Sequence, residues 1–365
     1  MIKNISKILL VIFVFPFLFT SCAKPIQLRD RSIIQVMGID YENDKYKVTF
    51  HQYMPTENEE KPTTNDGEFV VSQGETIFEA IKNAQSSDGN QIFYGQCRLY
   101  ILGKSVLEKG VGQITEFMNS NYQLSLASNV LAADTSAEKI VKTKLFSSVT
   151  PDISVKRIEG QGKSVNTTVI DTLKDLYNAN GTACLPQISL RDDKAVIENA
   201  VLLKDYKSAL SLNSDETMGL CFLRGKIADA VMTARAEEYR LSVGVVSQTA
   251  KIKMQVQNGD ITLKITVNAK GNISENGVIS SKNINAKHIK TIQNDIQKQI
   301  KNKVEAALKK IVTEGECDLF YLSDMLKNKD KNLYQKYKDD TSWLRDINFE
   351  TQVNFKVRHS GIGIN

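Results

Sequence analysis

The sequence predicts a mixed α/β (α+β) body of more than one domain, with mixed sheets and, toward the C-terminus, an antiparallel sheet covered by one long helix. Three observations predict it. Strand-type alternation and helix-type spacing succeed one another along most of the chain, as they do where helices are layered on sheets. Two alternating runs between residues 251 and 267 flank an Asn-Gly pair. From Ala286 to Val312 the apolar residues recur every three or four positions, in one stripe. A length of 365 residues fits two or three domains of about 100–200 residues each.

The first 22 residues read as a targeting segment. Lys3 and Lys7 precede an apolar run from Ile8 to Phe19, followed by Thr20, Ser21 and Cys22. A basic start, a short apolar core and small residues before the cut make a secretory signal. The run is shorter than the roughly 20 residues that a bilayer-spanning helix needs. A cysteine just after the small residues turns an export signal into a lipoprotein signal, with cleavage over residues 1–21 and a palmitate-type lipid on the sulfur of Cys22. Phe19 stands where such signals usually carry leucine, here one step back at Leu18. The alternatives are an ordinary secretory signal with an incidental Cys22, or an uncleaved anchor.

The elements follow in order. Ile33 to Asp40 and Tyr46 to Tyr53 read as strands around a Glu42-Asn43-Asp44 turn. Residues 55–67 are polar and proline-containing, hence a loop. Phe69 to Ser72 is a short strand. Gly74-Glu75-Thr76 opens a helix through Ala84. The second half of residues 91–103 is a strand ending at Gly103. Ser105 to Gly110 and Ile114 to Asn119 are helical, Ser125 to Ala133 a strand, and Ser136 to Lys142 a helix. Val149 to Gly162 reads as irregular, Thr168 to Tyr177 as an amphipathic helix, and Asn178 to Arg191, with Gly181 and Pro186, as a link. Val196 to Leu203 and Ser208 to Leu212 form a hairpin, and Ser214 begins a turn or short helix.

The periodicity is clearest in the last third. Ile252, Met254 and Val256 alternate with polar residues, Asn258-Gly259 supplies a turn with positive φ, and Ile261, Leu263, Ile265 and Val267 alternate again. The stripe Ile289, Ile292, Ile296, Ile300, Val304, Leu308 and Ile311 is the cover for that greasy face; heptad pairing with a partner helix is the alternative. Thr351 to Val357 is a last strand. The expected division is a signal over residues 1–21, an N-terminal α/β region over 22–198 with a small subdomain at 145–198, and a C-terminal α/β domain over 199–365.

Composition narrows the function classes. Apolar residues are 41% and charged residues 24%, ordinary for a globular protein. Net charge is +5, and removing residues 1–21 takes only Lys3 and Lys7, leaving +3. That is too mild to argue for nucleic acid. Cys97, Cys184, Cys221 and Cys317 are widely spaced, without a C-x-x-C pair. They read as free, buried, small apolar residues, a disulfide being the alternative in an exported chain. His51, His288 and His359 lie far apart, and no hydrolase, P-loop or dinucleotide motif occurs. Glu159-Gly160-Gln161-Gly162 holds only a lone G-x-G, best read as a turn. The acids Glu57, Glu59 and Glu60 belong to a polar loop, and Asp324 and Asp330 form a second cluster. No catalytic, metal or cofactor residues are assigned. Trp343, the only tryptophan, is either an anchor for the last strand or a partner-contact residue.

Four stretches resemble the C-subunit lipoproteins of bacterial spore germinant receptors, the Ger(x)C family. They are Asp30 to Asp40, ending in Gly-Ile-Asp; Phe93 to Gly103, with an aromatic and a glycine before a basic residue, a strand and a glycine; Leu212 through Gly225; and Gly271 to Glu275 ahead of the long helix, with the Trp343 region before the last strand. Ala23-Lys24 stands where the family often has Trp-Asp. The resemblance implies a non-catalytic subunit held by lipid on the extracytoplasmic face of the spore inner membrane. It also implies assembly with integral membrane A- and B-type subunits and a part in nutrient-triggered germination. A solute-binding lipoprotein of a transporter is the alternative from another class.

Overall fold

The computed structural model describes residues 31–52, 69–143, 151–179, 181–236, 239–276 and 286–359. The expected signal, Cys22 and the Glu57/Glu59/Glu60 cluster lie outside the described residues.

The first sheet grows around one long strand, β1 (Arg31–Glu42). β2 (Lys45–Gln52) returns antiparallel through a two-residue turn in which Asn43 and Asp44 both take positive φ, the geometry that suits a twisted hairpin. β3 (Phe69–Gly74) lies antiparallel outside β2. Beyond β3, Thr76 caps α1 (Ile77–Asp88), its hydroxyl accepting from the Glu79 amide. Two short strands then share β1: β4 (Gln91–Phe93) pairs with its beginning and β5 (Leu99–Leu102) with its middle, both parallel. Helices α2 (Lys104–Lys109) and α3 (Gly112–Ser120) follow, then β6 (Asn129–Ala133), parallel to β5.

All residues of β5 and β6 are buried, as expected of parallel strands covered on both faces. One face packs under α1, α2 and α3. The other packs under α4 (Ala137–Val141) and α5 (Pro151–Gly160). Helix α5 corrects the irregular reading of residues 149–162. Pro151 starts it, where the missing amide hydrogen costs nothing, and Val155, Ile158 and Glu159 turn inward at helical spacing. Its polar exposed positions and flanking glycines mask that short stripe in the sequence. Gly162, at φ +71, donates to the Glu159 carbonyl and ends the helix, so the lone G-x-G is a helix terminus.

Helix α6 (Val169–Asn178) carries a capping box of Thr168 and Asp171. The chain then enters β7 (Ala183–Arg191), which corrects the expected link over 178–191. Pro186 is tolerated because the ladder slips there: between Pro186 and Ile188 the partner β8 (Lys194–Lys204) inserts Asn199 at φ +64. A bulge is one of the few strand sites open to proline. β9 (Lys207–Leu212) closes the sheet antiparallel. The strand order is β3-β2-β1-β5-β6-β7-β8-β9, with β4 beside β1.

Strands β7 and β8 join the two halves of the molecule. Ala183, Leu185, Val201 and Leu203 face the core beneath α1–α3 and α6, whereas Cys184, Ala200 and Leu202 face the C-terminal core. Asn213 then caps α7 (Ser214–Leu223), again with a capping box, through Glu216.

The second sheet is β10 (Ala230–Ala236), β11 (Tyr239–Gln257), β12 (Asp260–Asn276) and β13 (Asn348–His359). It is antiparallel through β10–β12, as expected, but β13 joins parallel to β12. The connection explains the difference: a parallel neighbour requires a long crossover. Here it is α8 (Ala286–Leu308), a π-helical turn at Lys309–Glu314, α9 (Leu322–Lys329) and α10 (Lys331–Tyr337). The predicted stripe is buried at Ile292, Ile296, Ile300, Val304 and Leu308. It packs in the same core as Leu263, Ile265 and Val267, so the sheet, not a partner helix, covers it.

Helix α8 also bonds to the outer backbone of both edge strands, β10 and β13. On β10, Asp295 accepts from the Arg235 amide at 2.8 Å and Gln299 donates to the Thr233 carbonyl at 2.9 Å. On β13, Gln297 accepts from the Phe355 amide and Gln293 from the Val357 amide, at 2.9 and 3.0 Å. Exposed edges are templates for pairing between molecules, and these side chains take up two backbone groups on each strand. Replacing Gln293 and Gln297 together by alanine should cost about 1–3 kcal/mol and raise concentration-dependent association. Chemical denaturation and light scattering check both.

Candidate functional site

Two of the four stretches singled out in the sequence, those ending at Asp40 and at Gly103, lie at the ends of the central parallel strands. At the C-terminal ends, Asp40 follows β1 residues Gly38 and Ile39. Its carboxylate is almost wholly buried and accepts from the Ala137 amide at 2.8 Å and the Glu138 amide at 2.9 Å. Ser136 donates to the same carboxylate at 3.4 Å. Asp40 thus caps α4 from a neighbouring strand. Gly103, after β5, makes the room: a Cβ there would stand 1.8 Å from Asp40 Oδ1. Burial pushes the Asp40 carboxyl above its usual range, against the two amides that lower it. Both oxygens are taken, so this corner is a structural joint rather than a ligand site.

At the other end lies the stretch Phe93 to Arg98. Tyr94 Oη accepts from Asn121 Nδ2 at 2.7 Å, tying it to the loop after α3. A groove of about 670 Å³ runs between α1 and α3 down to this loop. Ile81, Ile92 and Phe117 form its floor, Lys82 and Glu116 its charged walls, and Phe78 and Tyr122 its exposed rim. An open groove with an apolar floor and amide-rich polar walls suits a docked segment or surface better than chemistry on a small substrate.

A third cluster joins the two halves. Asp175 on α6 accepts from Tyr321 Oη at 2.5 Å and lies 3.7 Å from the Arg224 guanidinium. Tyr321 precedes α9 with φ 55, a left-handed conformation uncommon for a non-glycine residue. Burial holds the carboxyls of Asp175 and of nearby Glu159 above their usual range.

The remaining sequence candidates fall as follows. Trp343 is buried in the C-terminal core, stacked on Tyr337 at 5.9 Å. Asp330 caps α10. The ring of His51 packs against Phe69, and burial lowers its pKa. Cys97, Cys184, Cys221 and Cys317 are buried free thiols. Burial raises Cys97 and Cys184 to about 12 and Cys317 to about 11. The native protein should therefore resist thiol reagents at neutral pH and release four reactive thiols on unfolding, besides any at Cys22; a colorimetric thiol titration with and without denaturant checks this. Among the described residues no group of His, Cys, Asp and Glu could hold a metal ion, and no helix is long and apolar enough to cross a membrane.

Two family profiles match nearly end to end: the spore germination protein N-terminal domain over residues 24–190, and the spore germination B3/GerAC-like C-terminal domain over 198–361. The chain belongs to the GerAC family of spore germination proteins. It is similar to spore germination protein B3 of Bacillus subtilis (strain 168), at 23% identity over 98% of this chain and 99% of that protein. It also resembles spore germination protein GerQC of Bacillus cereus, at 21% identity over 93% of this chain and 95% of that protein. The crystal structure of the GerBC protein shares the fold, with a TM-score of 0.59 at 19% identity, covering 88% of this chain and 96% of that one.

Within this GerAC chain, the stretches that carry the family likeness have structural work. Gly38-Ile39-Asp40 and Gly103 build the α4 cap. In Met218-Gly219-Leu220, Gly219 lets α7 cross α8 at backbone contact: a Cβ there would stand 2.0 Å from the Lys303 carbonyl oxygen. Neither role shows in the sequence, since Asp40 stands 97 positions from Ala137 and Gly219 meets Lys303 on another helix.

Proposed function

We propose that this GerAC protein is a non-catalytic, lipid-anchored subunit of a nutrient receptor of bacterial spores. It sits on the extracytoplasmic face of the inner membrane and assembles with integral membrane A- and B-type subunits. One observation carries the reading: the family match runs from residue 24 to residue 361, directly behind a signal whose last residues end at Cys22. A lipid on that cysteine holds the body at the surface where its partners lie. The body presents an open groove with rim aromatics, which suits docking. Two domains, over 22–198 and 199–365, remain our division of the chain, with residues 145–198 as a small subdomain of the first. Trp343 would act on a partner through Tyr337, the half-buried ring stacked on it. The family match does not favour a transporter's solute-binding lipoprotein.

The test is complementation of a deletion strain. The wild-type gene should restore nutrient-triggered germination and place the protein in the membrane fraction. Cys22→Ala should shift the protein to the soluble fraction and slow germination markedly. Full germination with a soluble Cys22→Ala chain would remove the anchor from this account.

A further inference from the structure

The end of the N-terminal sheet at which β1 starts, with Arg31, carries an exposed apolar surface. Arg31 pairs with Gln91 at the start of β4, and its guanidinium lies 5.2 Å over the Phe93 ring. Two residues on, Gly95 packs against the Gln123 carbonyl, and Tyr94 is bonded to Asn121. The loop between α3 and β6 is therefore a close neighbour of the start of β1. Its tip is apolar and bare: Tyr122 is 93% exposed and Leu126 48% exposed. Ile170, also 48% exposed, adjoins Leu126, its amide donating to the Leu126 carbonyl at 3.1 Å. No charged residue occurs from Phe117 to Ala133.

We propose that this end of the N-terminal sheet is the membrane-facing surface, with Tyr122, Leu126 and Ile170 seated in the lipid headgroup layer. The proposal rests on the lipid anchor at Cys22 and adds an orientation to it. Residues 22–30 can span at most about 30 Å, so the end that carries Arg31 stays close to the bilayer. A tyrosine with an apolar ring and a polar tip, beside two aliphatic side chains, suits the interface. A charge-free loop can enter that layer without the cost of desolvating an ion. The β1–β2 turn lies at the far end of β1, eleven residues on and about 35 Å away, so it faces away from the lipid.

The test uses the full lipidated chain on phosphatidylcholine–phosphatidylglycerol vesicles whose lipids are brominated near the top of the acyl chain. Tyr122→Trp replaces an exposed side chain, and Lys45→Trp places the same reporter at the far end. Each is read against the parent chain, which carries only Trp343. The expected result is loss of emission from Tyr122→Trp on brominated vesicles and no loss from Lys45→Trp. Equal emission from Tyr122→Trp on brominated and plain vesicles, in a chain that floats with them, would overturn the orientation and assign the patch to a protein partner. A chain that does not float with vesicles at all would overturn both the anchor and the orientation.

Discussion

Gly219→Ala is expected to destabilise the C-terminal half by about 3 kcal/mol or more, a shift of roughly 6–12 °C in its thermal transition. The new Cβ would meet the Lys303 carbonyl oxygen at 2.0 Å and the Ala307 methyl at 3.0 Å. The first is backbone of α8 and cannot swing aside, so α7 must lift off the helix. Leu220, Phe222 and Leu223 pack in the same core as Ile300, Val304 and Leu308, and separating the helices opens that core. Gly112→Ala is the control. Nothing lies within 4 Å of its added Cβ, and an unstrained glycine replaced by alanine is neutral or gains about 0.4–1 kcal/mol. Calorimetry of the two variants beside the parent separates a packing effect from a general loss of glycine.

Asp40→Ala should be the second large effect, costing about 2–4 kcal/mol, because it strands two buried amides and empties a filled corner. Asp40→Asn keeps one acceptor and the shape, and should cost less. The pH dependence separates charge from shape. The folded-state pKa of Asp40 is raised above 3.8 by burial, so the folded protein holds this proton more tightly than the unfolded chain. The parent's advantage over Asp40→Asn is therefore greatest below pH 3.8 and declines as pH rises through the raised folded value. Nearby Glu138 titrates the opposite way. Its pKa is lowered by Lys142 and Lys47, so its stabilisation is present above 4.5, the ordinary value, and is lost as pH falls through the lowered one. Because Glu138 is common to both proteins, the difference between them reports Asp40. Urea unfolding at a series of pH values measures it.

The elements most legible in the sequence are those whose periodicity is set by one buried face. The α8 stripe and the β11–β12 alternation were readable because a single sheet–helix contact dictates every third, fourth or second residue. The turns at Asn43-Asp44 and Asn258 were readable because positive φ restricts which residues serve. Features set by distant partners were not. β7 was hidden by Pro186, which is harmless only because Asn199, across the ladder, forms the bulge. Helix α5 was hidden because only a few of its side chains face inward. The parallel placement of β13 follows from the route of the crossover and not from its own residues. The candidate surface was hardest to see. Leu126 falls in an expected apolar strand and Ile170 in an expected amphipathic helix, and only the fold leaves them and Tyr122 uncovered, whereas it buries Trp343.

The central claim is that this body works as one part of a membrane receptor. Affinity purification of the tagged, lipidated chain from spore membranes in mild detergent tests it most directly. The account predicts that two multi-spanning membrane proteins co-purify in fixed proportion and that deleting either lowers the amount of the chain recovered. Recovery of the chain alone, in undiminished amount from strains lacking those proteins, would contradict it.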